Sequence, residues 1–288
     1  MELDKNLKIC IVGLGLMGGS YAQALSGLGY RVGAIDVKPE SLRYAQAQGW
    51  IADGRTAPDG DYLRQFDLLV FALYPHTFLD WLRQYQELLK PGTLLTDVTG
   101  VKSCVVYDAQ ALLRPDLEYI PAHPMAGRES SGVENACAEV FQNANYIVTP
   151  TERNTPEAIE TCKALGRTLG FRTVTELTPE KHDEMIAFLS QLTHCIAVSL
   201  MTCRDTACLA EYSGDSFRDL TRIAKINDEM WSELFLANKT ELLRQMDLFS
   251  EAFQKLRDDI ANDRRAEMRE TMRRSTAQRL AFDNRRKK

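Results

Sequence analysis

His123 is the residue whose type and position best suit acid–base chemistry. It follows an apolar run, residues 117–122, that predicts a β-strand, and the sequence Pro-Met-Ala-Gly comes directly after it. Ligands of open parallel sheets bind beyond the carboxyl ends of the strands, so a side chain at this position can reach one. A neutral imidazole can accept the proton of an alcohol while hydride leaves from the carbon. A histidine that only caps a loop is the alternative, and the position at a strand end favours the chemical role.

A glycine-rich turn near the start of the chain is of the type that binds dinucleotides. Residues 13–18 read Gly-Leu-Gly-Leu-Met-Gly, follow a predicted strand at 8–12 and open a predicted helix. The first glycine allows the tight turn, the second lets the backbone approach a pyrophosphate, and the third lets helix and strand pack closely. The helix N-terminus offers free N–H groups to the phosphates. The residues expected to meet the cofactor are Gly13, Gly15, Leu16, Met17 and Gly18.

Asp36 predicts which dinucleotide binds. It comes 18 residues after Gly18, at the end of the second predicted strand, Arg31–Ile35. A carboxylate there accepts hydrogen bonds from the ribose hydroxyls and repels the 2′-phosphate of NADP. The next residue is Val37, so no adjacent arginine attracts that phosphate, although Lys38 lies close. The sequence therefore favours NAD, and it contains no pattern of metal ligands.

Two pairs of polar residues later in the chain are spaced for a binding site. Ser190 and His194 lie one helical turn apart, and Arg218 and Arg222 have the same spacing. Paired arginines near a helix start suit the recognition of a carboxylate. A buried, satisfied histidine and solvated arginines are the alternatives, and the spacing alone leaves them open.

The elements that must position these residues fall into two parts. Strand and helix patterns alternate through the first part, with strands predicted at 8–12, 31–35, 67–72, 93–96, 117–122 and 146–149. Such alternation predicts a mostly parallel sheet covered on both faces. Thr178-Pro179-Glu180 then starts a helix, and only helical patterns follow. We expect an α/β Rossmann-type dinucleotide-binding domain over residues 1–178 and an all-α domain over 179–288, for binding substrate and for dimerisation.

A heptad pattern in the helical part predicts a homodimer. A second long helix is predicted to begin near Asn227, and its apolar residues recur at alternating spacings of four and three. These residues are Leu242, Met246, Phe249, Phe253, Leu256 and Ile260. A seam this regular favours a partner helix, and the simplest partner is a second copy of the chain.

Composition limits the partners and the compartment. Of 288 residues, 44% are hydrophobic and 26% are charged, as in an ordinary globular protein. Residues 264–288 carry ten basic and three acidic residues, a net charge of +7, which leaves −12 on the rest of the chain. Because the acidic residues interrupt the basic ones, a solvated helix is favoured over nucleic-acid binding. No membrane-spanning run and no apolar leader are evident, so we expect a cytoplasmic protein.

Several stretches together resemble the prephenate and arogenate dehydrogenases. The resemblance covers nearly the whole chain in the right order, through residues 13–20, 97–102, 123–129, 182–194 and 217–231. Its most specific parts are His-Pro-Met-Ala-Gly at 123–127 and Phe-Arg-Asp-Leu-Thr-Arg-Ile-Ala at 217–224.

This resemblance implies a reaction and roles for the residues. The family oxidises prephenate at its ring carbinol carbon, passes hydride to NAD and releases carbon dioxide, which leaves 4-hydroxyphenylpyruvate. The resemblance implies that His123 bonds to the ring hydroxyl, that His194 contacts the substrate and that Arg222 holds a substrate carboxylate. It also implies that four more residues form or gate the pocket: Glu129, Arg218, Asp219 and Trp231.

The sequence departs from the family pattern at two motifs. Where the family often has D-x-G-S-V-K, residues 97–102 read Asp-Val-Thr-Gly-Val-Lys, so Gly100 replaces the serine that assists the histidine. Thr99 is the candidate to supply the missing hydroxyl. The family's S-H-L-P-H segment reads Ser-Gln-Leu-Thr-His at residues 190–194.

Rival interpretations remain at this stage. Arogenate dehydrogenase differs only in a substrate that carries an amino group in place of a keto oxygen. A β-hydroxyacid or imine-reducing dehydrogenase would share the first domain, but those enzymes use a lysine or another group on the first interdomain helix, where this chain has His194 and no lysine after Lys181. A non-catalytic NAD-sensing protein is the third, and the combination of His123, His194 and Arg222 argues against it.

Overall fold

Parallel strands alternate with helices through the first part of the chain. The computed structural model describes residues 3–127, 130–205 and 208–286. The strands are β1 (Lys8–Val12), β2 (Arg31–Ile35), β3 (Asp53–Arg55), β4 (Leu68–Phe71), β5 (Leu94–Asp97), β6 (Glu118–Tyr119), β7 (Ala122–Met125), β8 (Asn145–Val148) and β9 (Thr173–Glu176). The helices that accompany them are α1 (Leu16–Gly27), α2 (Pro39–Ala47), α3 (Gly60–Leu63), α4 (Pro75–Tyr85), α5 (Val106–Leu112) and α6 (Pro156–Thr168).

The first six strands form one parallel sheet in the order β3-β2-β1-β4-β5-β6. This is the order of a doubly wound dinucleotide-binding fold. Both faces are buried, because alternate side chains of β1 enter different cores: Ile9 and Ile11 join one hydrophobic cluster, and Cys10 and Val12 join the other. The predicted α/β fold class is confirmed.

The strand predicted at 117–122 is wrong in its extent, since the chain divides there between two sheets. Pro121 has no N–H for the β6 ladder, and its carbonyl accepts a hydrogen bond from Thr149 N at 2.9 Å. Ala122 N bonds to the Asp97 side chain at 3.1 Å. Strand β7 then pairs antiparallel with β8, which pairs parallel with β9. His123 therefore lies inside β7 and does not follow the end of a strand of the main sheet.

Helices occupy the rest of the described chain, as predicted. They are α7 (Pro179–Ile186), α8 (Leu192–Thr202), α9 (Asp215–Thr221), α10 (Asp228–Ala237), α11 (Lys239–Ala261) and α12 (Arg265–Arg286). Thr178 caps α7, its hydroxyl accepting from Lys181 N at 3.2 Å. The predicted second long helix is interrupted at Asn238, which separates α10 from α11.

A π-helical segment, Ala187–Gln191, joins α7 to α8 into one helical run. By length and composition this run, Pro179–Thr202, could cross a membrane, with mean hydropathy 1.5 and 28% of its most apolar window buried. No such segment was predicted from the sequence. Core helices of soluble proteins meet the same criteria, so the finding does not by itself indicate a membrane protein.

Two compact units make up the chain, Met1–Asn238 and Lys239–Lys288. The division predicted at residue 178 falls inside the first unit, where it separates the α/β part from α7 to α10, and it stays a prediction. In the second unit, Asp259 on α11 is buried and pairs with Lys255 and Arg264 at 3.1 Å each. Phe249, Phe253 and Ile260 of the heptad seam are exposed in the single chain.

Candidate active site

The glycine turn has the geometry that a dinucleotide requires. Gly13 has φ +95°, and a Cβ there would lie 2.6 Å from the Ala72 carbonyl oxygen. A Cβ on Gly18 would lie 1.8 Å from the Gly13 carbonyl oxygen, so helix α1 can pack this closely only without a side chain. Gly15 is exposed and caps α1, and nothing lies within 4 Å of its Cβ position. The turn is thus tightly packed at Gly13 and Gly18 and open at Gly15, where a phosphate would approach. Leu16 and Met17 begin helix α1.

Asp36 is held beside this turn by backbone N–H groups. Its Oδ2 accepts from Leu14 N at 2.5 Å, and its Oδ1 accepts from Lys38 N at 2.8 Å. Each carboxylate oxygen has a further lone pair for a ribose hydroxyl. The structure also brings Arg55 to this edge, since its carbonyl accepts from Asp36 N at 3.2 Å and its guanidinium lies 4.7 Å from the Tyr62 ring centre. Sequence reasoning missed Arg55, because only the pairing of β3 with β2 makes it a neighbour.

His123 forms one end of a largely buried hydrogen-bonded chain. Its Nδ1 lies 2.8 Å from His182 Nε2, and His182 Nδ1 lies 2.8 Å from Asp183 Oδ1. The Asp183 carboxylate also accepts from Lys102 N at 2.8 Å and Ser103 N at 2.7 Å. Sequence reasoning singled out His123 and missed His182. The available signal was that His182 precedes Ile186 by one turn, on the apolar face of α7.

Burial keeps both histidines neutral. Burial, with His182 and Lys102 nearby, lowers the pKa of His123 well below its ordinary value. The pKa of His182 is also lowered, because its burial outweighs the opposing hydrogen bond to Asp183. Burial alone would raise the pKa of Asp183, but hydrogen bonds from His182 and Lys102 N hold it below its usual value. The group therefore consists of two neutral imidazoles and one carboxylate.

The rings of His194 and Trp231 are in contact, and their place in a substrate pocket stays a prediction. Their rings lie 3.8 Å apart between centres, with 31° between planes. His194 Nδ1 hydrogen-bonds to the Ser190 carbonyl oxygen at 2.9 Å, so Ser190 contributes its backbone. Trp231 and Leu234 lie three residues apart on α10 and share a face, and Leu234 reaches position 100 next to His123.

The paired arginines lie on short elements that pack against α8. Arg218, on α9, pairs with Asp215, and Arg222 begins a 3-10 turn, Arg222–Ala224. Both side chains are exposed in the single chain. Their place in the substrate pocket stays a prediction, as does that of Asp219. Glu129 lies outside the described residues. Among the residues that the structure describes, no group of three or more metal-binding side chains occurs.

Comparisons with known proteins give the family. Residues 21–175 match the family model described as prephenate dehydrogenase, nucleotide-binding domain, and residues 178–274 match the prephenate dehydrogenase dimerization domain. The chain is 31% identical over 266 residues to prephenate dehydrogenase of Bacillus subtilis. The aligned region covers 88% of this chain and 70% of that protein. The chain belongs to the prephenate dehydrogenase family. It is therefore an oxidoreductase with a nucleotide-binding domain.

Other relatives and solved structures agree on this family. Cyclohexadienyl dehydrogenase of Zymomonas mobilis is 30% identical over 282 residues, 95% of each protein. Prephenate dehydrogenase of Aquifex aeolicus, solved with hydroxyphenyl propionate and NAD+, has TM-score 0.88 and 28% identity, covering 98% of this chain and all of that one. Synechocystis arogenate dehydrogenase shares the fold, with TM-score 0.82 and 24% identity over 96% of this chain and all of that one.

The first departure from the family pattern has a clear geometry. A Cβ at position 100 would lie 3.9 Å from His123 Cε1, so the residue that replaces the family serine is next to the imidazole. Thr99 points elsewhere: its hydroxyl donates to Asp97 and accepts from Lys102 Nζ at 3.1 Å, all three side chains being buried. A hydroxyl with its proton given to a carboxylate has none for a substrate. The geometry thus argues against Thr99 as the catalytic hydroxyl and gives it a part in the Asp97–Lys102 network.

The second departure is structural. Gln191, where the family motif has its first histidine, is buried, and its Nε2 donates to the Leu234 carbonyl at 2.8 Å. Its Oε1 accepts from Asn238 Nδ2 at 2.8 Å, and the same amide donates to the Asp183 carbonyl at 2.9 Å. In this member of the family, an amide network therefore ties α10 to the helical run that carries His182 and His194.

Proposed function

We propose that this chain is an NAD-dependent prephenate dehydrogenase of the cytoplasm, which converts prephenate to 4-hydroxyphenylpyruvate and carbon dioxide. The observation that carries the proposal is the His123 imidazole, 2.8 Å from His182 and next to position 100, in a chain of this family. The similarity to the Bacillus subtilis prephenate dehydrogenase and to the Aquifex aeolicus complex with NAD+ supports the choice of substrate and cofactor.

Different residues of the chain bind the cofactor, accept the proton and bind the substrate in this reaction. NAD, held at the glycine turn and Asp36, would supply the hydride acceptor. His123 accepts the ring hydroxyl proton, because a neutral imidazole is the available base at this point. Arg222 holds a substrate carboxylate, and the rings of His194 and Trp231, which are in contact, line the pocket.

A spectrophotometric assay tests this function. Purified protein is offered prephenate and arogenate separately, each with NAD and with NADP, and formation of reduced cofactor is followed. We expect turnover with prephenate and NAD. Higher kcat/KM with arogenate would make the chain an arogenate dehydrogenase, the second candidate, for which the similarity to a cyclohexadienyl dehydrogenase is the supporting observation. Absence of reduction with either substrate would contradict the proposal.

Asp36 gives a prediction on cofactor preference. Asp36→Ser should lower the ratio of kcat/KM with NAD to that with NADP by about 10–150-fold, since a hydrogen bond to a charged group contributes about 1.5–3 kcal/mol. The positive charges of Lys38 and Arg55, whose backbones hydrogen-bond to Asp36, would also lose the neighbouring negative charge that opposes binding of a 2′-phosphate. Asp61→Ser, the same change at an exposed position on α3, is the control. Equal efficiency of the wild type with both cofactors would defeat the assignment.

Assembly gives a second prediction. We propose that residues 179–288 bind substrate and join two copies of the chain, in line with the match of 178–274 to a dimerization domain. The exposed apolar residues of α11 support this, and Phe249 and Phe253 stack with ring centres 6.2 Å apart. Phe249→Asp should therefore give monomeric or insoluble protein, because it places a charge in an apolar interface. Ser250→Asp, one residue along and off the seam, should remain dimeric. Sedimentation of the wild type as a monomer at micromolar concentration would rule the proposal out.

A further inference from the structure

We propose that His182 and Asp183 are positioning residues for His123: they determine which of its nitrogens receives the substrate proton, and they share the charge that results. This inference rests on the proposed function, in which His123 is the base. It uses side chains that no step of the reaction described above requires.

The chain of hydrogen bonds starts from Asp183. Its carboxylate accepts from the N–H groups of Lys102 and Ser103, at 2.8 and 2.7 Å, and so stays ionised. An ionised carboxylate can only accept. The contact of 2.8 Å between Asp183 Oδ1 and His182 Nδ1 therefore requires the proton to be on His182 Nδ1.

The state of His182 then fixes the state of His123. His182 is fully buried, with Lys102, Asp97, Asp183 and His123 as the ionisable groups around it, and it lies in the first turn of α7, where the helix dipole disfavours a cation. A neutral His182 with its proton on Nδ1 has a lone pair on Nε2. His123 Nδ1, 2.8 Å away, must then be the donor, which leaves Nε2 of His123 unprotonated.

This tautomer is the one that the reaction needs. The substrate O–H bond breaks, its proton passes to His123 Nε2, and the C–H electron pair leaves as hydride. His123 is then positively charged and still donates from Nδ1 to His182. Transfer of that Nδ1 proton to His182 Nε2 would return His123 to neutrality and place the positive charge 2.8 Å from the Asp183 carboxylate. A buried carboxylate oriented by two backbone N–H groups can stabilise such a charge.

The direct test is the tautomer itself. Long-range nitrogen–proton correlation spectra of protein labelled with ¹⁵N-histidine distinguish protonated from unprotonated ring nitrogens, and the chain has only four histidines. We expect protonated Nδ1 and unprotonated Nε2 for both His123 and His182, with single-site variants providing the assignment. A proton on Nε2 of His123 in the wild type would overturn the proposal, and this result does not depend on which substrate is turned over.

Two variants of His182 test the effect on catalysis. His182→Gln keeps an acceptor for the hydrogen bond from His123 Nδ1 and a donor for the hydrogen bond to Asp183. His182→Leu removes both. We expect the leucine variant to lose about 10²-fold in kcat, the low end of what general base catalysis contributes, with little change in KM. In the leucine variant the pKa of the acid-side inflection in the pH profile of kcat should also fall, because the His123 cation loses the acceptor for its Nδ1 proton. The glutamine variant can accept the hydrogen bond from His123 Nδ1 but cannot take up its proton, so its kcat should lie between those of the leucine variant and the wild type.

The outcomes separate this proposal from the proposed function. If the wild type reduces no cofactor with prephenate or arogenate, the function fails while the tautomer measurement still decides the role of His182. If the wild type is active and folded His182→Leu keeps its kcat and pH profile, the positioning role is wrong. If His182→Leu does not fold, a glutamine variant that is no better than about 1% of wild-type kcat contradicts the proposal equally.

Discussion

His123→Asn is expected to bind NAD and prephenate nearly as well as the wild type and to lose about 10²–10⁴-fold in kcat, the usual contribution of general base catalysis. Asparagine is polar and of similar size, and its amide N–H can donate to His182 Nε2, the atom that lies 2.8 Å from His123 Nδ1. It cannot accept a proton at neutral pH. The substitution therefore removes the chemistry and keeps the local contacts, so kcat should change far more than KM.

The pH dependence should identify the same group. Burial lowers the pKa of His123 well below its ordinary value, so the imidazole stays unprotonated to lower pH than a free histidine would. Activity should fall on the acid side as pH drops through this lowered pKa, that is, below the value of about 6.5 for an unperturbed histidine. An inflection at or above that value would contradict the environment found here. In His123→Asn the residual activity should show no such inflection.

A second histidine supplies the control. His76, at the start of α4, is largely exposed and bonds to Glu233 at 2.8 Å, a contact that the amide of asparagine can also make. His76→Asn should keep the wild-type kcat and pH profile. If His123→Asn kept near-normal kcat, the base would lie elsewhere, His194 would be the next candidate, and the role given to the His-Pro-Met-Ala-Gly segment would be wrong.

The cofactor turn could be predicted from sequence because its requirements are local. A glycine with φ +95° and a glycine whose Cβ would lie 1.8 Å from a carbonyl oxygen reflect close backbone approaches within one strand-turn-helix unit. The strands around it are buried on both faces and so appear as continuous apolar runs. The position of Asp36 at the end of β2 follows from the same local pattern, whereas the order of the strands in the sheet was not predicted.

The surroundings of His123 could not be predicted in the same way. Pro121 argues against one continuous strand at 117–122, but the sequence does not show that the chain enters a second sheet there, because that depends on Thr149 and Asp97 as partners. The contact with His182 joins residues 59 apart in sequence. Short periodic patterns report which face of an element is buried, and they do not report which two buried polar groups meet.

Thr99 illustrates the limit of matching by residue type. A hydroxyl one position before the missing family serine is a reasonable substitute by sequence. Successive residues point in different directions, however, and the Thr99 hydroxyl bonds to Asp97, the Val101 carbonyl and Lys102. Gly100 is the residue next to His123. The role of a side chain here follows from its direction, which sequence spacing alone did not reveal.

Arg222→Ala is expected to raise KM for prephenate by about 10–150-fold, because hydrogen bonds to charged groups contribute about 1.5–3 kcal/mol each. The expectation follows from the Thr-Arg-Ile-Ala match and from the packing of the Arg222–Ala224 turn against α8, the helix that carries His194. Arg222 is exposed in the single chain, so this range is lower than a fully buried ion pair would give. Steady-state kinetics with prephenate, and titration with NAD alone, measure the two affinities separately.

Two further variants decide what an effect at Arg222 means. Arg222→Lys keeps the positive charge and loses the planar fork that grips a carboxylate at two points, so KM should lie between those of the wild type and the alanine variant. Arg31→Ala removes a charge at the amino end of β2, whereas the glycine turn lies at the carboxyl ends of the parallel strands. This variant should leave KM unchanged. The affinity for NAD should stay nearly constant in all three variants, because Arg222 is assigned to the substrate. An unchanged KM in Arg222→Ala would remove Arg222 from the pocket, and a parallel loss of NAD affinity would point to a wider disturbance of the fold.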